Sequence, residues 1–250
     1  MLTKEHFVNA YEFHQPRLFY DKASDALRRR LPDSLLWSIP DRTWGRHMRP
    51  IRELWEISNF TIGFSLLRNQ TVEVRLSEEE PADGQIKFAG RLIDLQTTVR
   101  NREGRQPGRA YHNQDKYLEL LRKDDVECSL EQSTQWITEA VESKVYKSYA
   151  KQRPLWLLVY ANFEKRGLDF DALISSVGAL HQRSFDSIWL LSRIHSPATR
   201  DNPAFAIASL YPPETEPLFY EYEPTAERVI KPEELCCPFG PVEISAGKPV

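Results

Sequence analysis

The hydrophobic rhythm of the chain shifts twice. Over the first sixty residues apolar positions recur at helical spacing. Ala23 to Leu31 carries them beside a basic face of Arg28, Arg29 and Arg30, and Pro50 suits the first turn of a helix through IRELWEI. From Asn59 or Phe60 to Val99 the chain reads as β-rich. Val72, Val74 and Leu76 alternate with Glu73 and Arg75, the pattern of a half-buried strand. Ala89-Gly90 then separates QIKF from RLIDLQTTV and predicts a tight hairpin turn. In the second arm Leu92, Asp94, Gln96 and Thr98 share one face, and Ile93, Leu95 and Thr97 share the other.

After Val99 helical spacing returns, now interleaved with apolar runs. A helix is expected over about Gln114 to Lys123. A second opens on the capping box Ser129-x-x-Gln132 and carries Ile137, Ala140, Val141, Val145 and Tyr149 at core spacing, with Pro154 as its stop. WLLVYANF reads as a strand buried on both faces. A helix near Phe170 to Gln182 leads to FDSIWLL, a second central strand. Strands alternating with helices predict an α/β fold, a mixed β-sheet flanked by helices on both sides. From Ser196 the texture changes, since 10 of the 17 prolines fall there. One strand is expected around Phe205 to Tyr211, followed by an extended tail. The expected organisation is a mainly helical segment over 1–50, an α/β core over 51–195 and a Pro-rich C-terminal extension over 196–250.

Composition narrows the class of function. At 250 residues, with 41% hydrophobic and 28% charged residues, the chain can bury a sizeable core and resembles an ordinary globular protein. A net charge of -3 argues against a generic polycation, although local charge can differ from the total. No run approaches the ~18 apolar residues of a membrane span, and the first residues lack the apolar stretch and cleavage site of a secretory signal. Three cysteines, Cys128 and the vicinal Cys236 and Cys237, suit a reducing cytosol and form no Cys-x-x-Cys metal site. The expected location is cytoplasmic. No His-x-x-x-His, P-loop, dinucleotide turn or Gly-x-Ser-x-Gly motif is present.

What remains is oxygen chemistry. The turn SEEEPADG brings Glu80 and Asp83 next to strands that carry Asp94 and Gln96. Carboxylates on neighbouring strands bind a hard cation through oxygen. The bland alternative makes Asp94 and Gln96 a solvated strand face and Glu78-Glu79-Glu80 a polar turn. Glu73, and Glu53 and Glu56 on the preceding helix, are further acids within reach of such a site. Arg100, Arg102, Arg105 and Arg109 follow the strand bearing Asp94, where they would grip phosphates or else merely keep a loop soluble. Arg42, Arg46, His47, Arg49 and Arg52 form a second basic run, with Trp44 as either a stacking surface or packing.

The order helix, acidic strands, helix, buried strand, helix, buried strand, together with Asp83 and Asp94-Leu95-Gln96, resembles the PD-(D/E)XK nuclease superfamily and its restriction-endonuclease-like fold. The similarity covers roughly Ile51 to Leu191 and is one of layout. It is most marked over AVESKVYKSYAKQRPLWLLVYANF. Pro81-Ala82-Asp83 stands for the family's Pro-Asp with one residue inserted, and Asp94-Leu95-Gln96 for its acid-x-Lys. The resemblance implies phosphodiester hydrolysis in nucleic acid, DNA favoured, with Mg²⁺ or Mn²⁺. Asp83, Asp94 and Glu80 would be metal ligands, Gln96 would orient the attacking water, and Lys144 (or Lys147) would supply the charge that Gln96 lacks. The second reading is the same fold without catalysis, a subunit or adaptor that meets protein partners through its C-terminal extension. The third is an unrelated α+β binding protein.

Overall fold

The computed structural model describes residues 10–28, 49–101, 129–162, 167–180, 184–194, 204–222, 227–231, 236–237 and 240–241. The chain is mixed α/β and divides into two compact units. One comprises Met1–Thr97 with Gly104–Asp125, the other Thr98–Glu103 with Val126–Val250.

In the first unit, helices α1 (Pro16–Arg28) and α2 (Arg49–Arg68) pack on each other, and α2 lies over β1 (Val72–Leu76) and β2 (Gly84–Phe88). β1, β2 and β3 (Arg91–Asn101) form an antiparallel meander in strict register, Leu76 opposite Gly84 and Gly84 opposite Leu95. The hairpin expected at Ala89-Gly90 is present. Both residues have positive φ, 48° and 74°, as a two-residue turn of the primed type requires. On the outer side of β1, His14 pairs with Val74 and the Leu76 N–H donates to the Ala10 carbonyl. An otherwise open strand edge is covered.

Gly84 sets how closely α2 approaches the strands. A Cβ there would stand 2.5 Å from Ile57 Cδ1 and 2.9 Å from the Arg75 carbonyl oxygen. The backbone atom cannot swing aside, so Gly84→Ala must shift β1 or α2. Thermal or urea unfolding of that variant is expected to show a loss of about 1–3 kcal/mol, the usual cost of overpacking.

The second unit holds α3 (Leu130–Val145), β4 (Leu155–Asn162), α4 (Phe170–Gly178), β5 (Ser187–Ile194), β6 (Ala204–Tyr211), β7 (Leu218–Tyr222) and β8 (Glu227–Ile230). β4 and β5 are parallel, while β5 through β8 are antiparallel, so the sheet is mixed. One face carries Leu157 and Val159 of β4, Leu190 of β5 and Ala204, Ala206 and Ala208 of β6. These meet Ile137 and Val141 of α3 and Leu173 and Val177 of α4. The alanine row lets α4 lie close over β6. Leu158, Tyr160, Trp189 and Leu191, on the other face, are buried as well, as continuous apolar runs in central strands demand. Ser129 caps α3 as expected, its Oγ accepting from Gln132 N–H while the Gln132 side chain accepts from Ser129 N–H. A small ladder pairs β9 (Cys236–Cys237) with β10 (Gly240–Pro241).

Three expectations are corrected. Helix α2 continues to Arg68, through the stretch read as the start of the β-rich part. Helix α3 ends at Val145, before Pro154, and Tyr149 joins the core from beyond it. The stretch after Tyr211, expected as a tail, contributes β7 and β8 to the sheet. The helix expected over Gln114 to Lys123 lies outside the described residues.

Candidate functional site

Helix α2 is buried nearly all round, so its polar side chains must find partners within it. Ser58 Oγ donates to the Leu54 carbonyl at 2.5 Å, Asn59 Nδ2 to Trp55 at 2.7 Å and Thr61 Oγ1 to Ile57 at 2.7 Å. Each carries a proton it can give to a carbonyl one turn back. Glu56 is fully buried in the same helix, and an ionised carboxylate has no proton to give. Among the described residues neither of its oxygens accepts a hydrogen bond. Arg52 Nε stands 3.5 Å from Oε1, an ion-pair distance without hydrogen-bond geometry. Burial raises the Glu56 pKa to about 8 against the pull of Arg52, and the neighbouring negative charges of Glu53 and Asp83 raise it further. Glu53 is buried too. Tyr11 stands within reach of Glu53, its hydroxyl pKa raised by partial burial and then by Glu78 and Glu53.

Asp83 enters this group from just before β2. Its N–H donates to the Leu95 carbonyl at 2.9 Å, continuing the ladder one step. Its carboxylate then replaces the next backbone carbonyl, with Oδ2 accepting from the Thr97 N–H at 2.7 Å and from Thr97 Oγ1 at 3.2 Å. Gln96 lies between those two contacts. Its amide nitrogen donates to the Pro81 carbonyl at 3.1 Å, and its buried Oε1 accepts nothing among the described residues. Asp83 therefore stands beside Thr97 and near Glu56, whereas the Gln96 side chain leaves β3 on the opposite face from Thr97.

Asp94 sits two residues from Gln96 on the same face of β3 and is only 5% exposed. It belongs to a row of side chains crossing the three strands. Arg75 lies opposite Gln85, and Gln85 opposite Asp94. Arg75 Nε and Nη2 both donate to Gln85 Oε1, at 2.8 and 2.6 Å, and Gln85 Nε2 donates to Asp94 Oδ1 at 2.8 Å. The solvated strand face is thus not what Asp94 and Gln96 occupy; both are buried.

The other expected residues fall elsewhere. Glu80 is exposed on the turn before Pro81, and Glu73 is half-buried with Lys87 at 3.0 Å. Lys144 is half-buried in the last turn of α3, in the second unit. Arg100 pairs with Glu139 of α3 at 2.5 Å. Arg102, Arg105 and Arg109 lie outside the described residues, as do Arg42, Trp44, Arg46 and His47.

Among the described residues no group of three or more His, Cys, Asp or Glu side chains is arranged to hold a metal ion. Among the buried polar atoms without a hydrogen bond to the described residues are both carboxylate oxygens of Glu56 and the amide oxygen of Gln96. Hard oxygen donors of this sort fit Mg²⁺ or Mn²⁺ and suit a soft metal poorly. Sequence alone ranks Glu56 among the helix glutamates that are usually solvated. Its one signal is position, in the middle of a run without an exposed stripe. No known protein-family model matches the sequence, and no curated protein does.

Proposed function

We propose that the protein is a divalent-cation-dependent nuclease with a restriction-endonuclease-like core, hydrolysing phosphodiester bonds in nucleic acid, DNA foremost. The observation that carries this reading is Glu56, a buried carboxylate with neither oxygen hydrogen-bonded among the described residues and with Glu53 and Asp83 as neighbouring charges. Arg52, 3.5 Å away, offsets only part of the cost of burying this acid, and a further positive charge would offset more. The element order α2, β1, β2, β3, α3, β4, α4, β5 supports the same reading.

Glu56 and Asp83 would hold Mg²⁺ or Mn²⁺; the resemblance adds Asp94, whose side chain leaves β3 on the face away from α2. Bound there, the ion would polarise a phosphate and lower the pKa of a water. The Gln96 oxygen can accept a hydrogen bond from that water and so fix its direction, while its amide nitrogen is anchored on Pro81. Being neutral, Gln96 leaves any positive charge at the phosphate to other residues. Arg100, Arg102, Arg105 and Arg109 are proposed as phosphate contacts, which makes binding salt-dependent.

One observation favours the non-catalytic reading, a subunit or adaptor of the same fold. Asp94 Oδ1 is already engaged by Gln85, and no three acids converge among the described residues. Incubation of the purified chain with single- and double-stranded DNA and with RNA, in Mg²⁺ or Mn²⁺, separates the two. Cleavage that Asp94→Ala and chelation both abolish is the expected result. Uncut substrates under every condition would leave the adaptor reading standing.

A further inference from the structure

We propose that the groove between α3 and α4 is a docking site for a Lys- and Arg-rich amphipathic helix of a partner protein. The inference stands on the second unit alone and does not depend on the nuclease reading above. The groove is open, with a volume of about 720 Å³. From α4 it is lined by Ala172 and Ser176, side chains too small to fill the space beside α3. On α3 its floor holds Leu130, which is 45% exposed, and then Thr134 and Thr138. Both threonine hydroxyls donate to carbonyls of their own helix, Thr134 to Leu130 at 3.0 Å and Thr138 to Thr134 at 2.8 Å. Neither keeps an O–H for an occupant.

The rim is acidic. Glu131, Glu139 and Glu142 lie along α3, and Asp169 caps the start of α4. Arg100 pairs with Glu139, so four carboxylates and one guanidinium leave a charge of -3. The Gln135 amide is engaged as well, its nitrogen donating to Glu139 at 3.0 Å. Acceptors and negative charge thus border an apolar floor, and whatever fills the groove must bring donors and positive charge. Nucleic acid carries phosphates of the wrong sign. A small cation would meet the rim and leave the floor uncovered. The α3 lining runs from Leu130 to Glu142, about 18 Å along the helix axis. A partner helix of about three turns matches that length, with an aliphatic stripe on the floor and cations on both flanks.

The test pans a displayed library of helical peptides of about 14 residues against the full chain, and titrates the best binder by fluorescence anisotropy. Enriched sequences should carry Lys or Arg beside aliphatic residues at helical spacing, and bound peptide should slow amide exchange over α3 and α4. Glu131→Lys combined with Glu142→Lys reverses two rim charges and is expected to weaken the peptide by about tenfold or more. Added salt should weaken the wild-type complex too. A library that yields no binder, binders without net positive charge, or equal affinity in the double variant would overturn the proposal. So would single-stranded DNA that displaces the peptide, or a dimer of the chain alone that the double variant dissociates; these would give the groove to nucleic acid or to a second copy. Should the double variant fail to fold, Ala172→Lys, which sets a cation on the α4 wall, decides by the same criterion.

Discussion

Glu56→Gln is expected to make the metal-free protein more stable at neutral pH and unable to bind a divalent cation. The substitution keeps shape and removes the cost of taking up a proton on a buried carboxylate when the chain folds. The sign follows from proton counting. With the folded-state pKa raised to about 8 from a usual 4.5, the folded chain binds more protons than the unfolded chain between those values. Stability is then full below about pH 4.5 and falls as pH rises through the window, by about 1.4 kcal/mol per pH unit. At pH 7 the deficit removed by glutamine is roughly 3 kcal/mol. Urea denaturation of wild type and variant at pH 5, 7 and 8 checks this. The two curves should converge in acid and separate towards pH 8, with the variant more stable. Improved stability coupled to lost function is what a strained functional site gives.

Asp83→Asn is expected to reduce metal-dependent cleavage by about 1,000-fold or more, the scale of several kcal/mol of transition-state stabilisation. The melting temperature should change little, because the asparagine oxygen can still accept from the Thr97 N–H that Asp83 Oδ2 now holds. Asp83→Ala would lose activity and stability together, by about 1–3 kcal/mol for the stranded N–H. Single-turnover cleavage beside thermal unfolding distinguishes the two variants. Equal activity of Asp83→Asn and wild type would remove Asp83 from the site.

Local chemistry was legible wherever a residue type has one physical use. Ala89-Gly90 between two alternating runs is a hairpin because glycine tolerates the left-handed backbone at little cost. Ser129-x-x-Gln132 is a helix start because two side chains satisfy two orphan N–H groups. Helix α2 misled for a definable reason. Phe60, Ile62 and Phe64 alternate with Thr61, Gly63 and Ser65, which reads as a strand, whereas a helix buried on all sides shows no stripe. Its polar groups are hidden by donating to the helix's own carbonyls. Strands β7 and β8 are short and lie among prolines, so tertiary pairing decides them more than pattern does.

The site was legible in part, and unevenly. Asp94 and Gln96 stood out because strand alternation puts them on one face, and Asp83 through its turn and the resemblance. Glu56 did not, because nothing local separates a solvated helix glutamate from a buried one. Gln85 was invisible for a related reason. Its hydrogen bonds depend on the cross-strand register that sets it between Arg75 and Asp94. In both cases the missing information is packing, which one sequence does not carry.

The central claim is that Glu56 and Asp83 await a divalent cation, and the most direct measurement is calorimetric titration of Mn²⁺ into the metal-free full-length chain near pH 8. One site per chain is expected, absent in Glu56→Gln and in Asp83→Asn and weakened as pH falls, since a proton on Glu56 must leave before the ion can bind. Absence of binding in the wild type, or equal affinity in Glu56→Gln, would contradict the account.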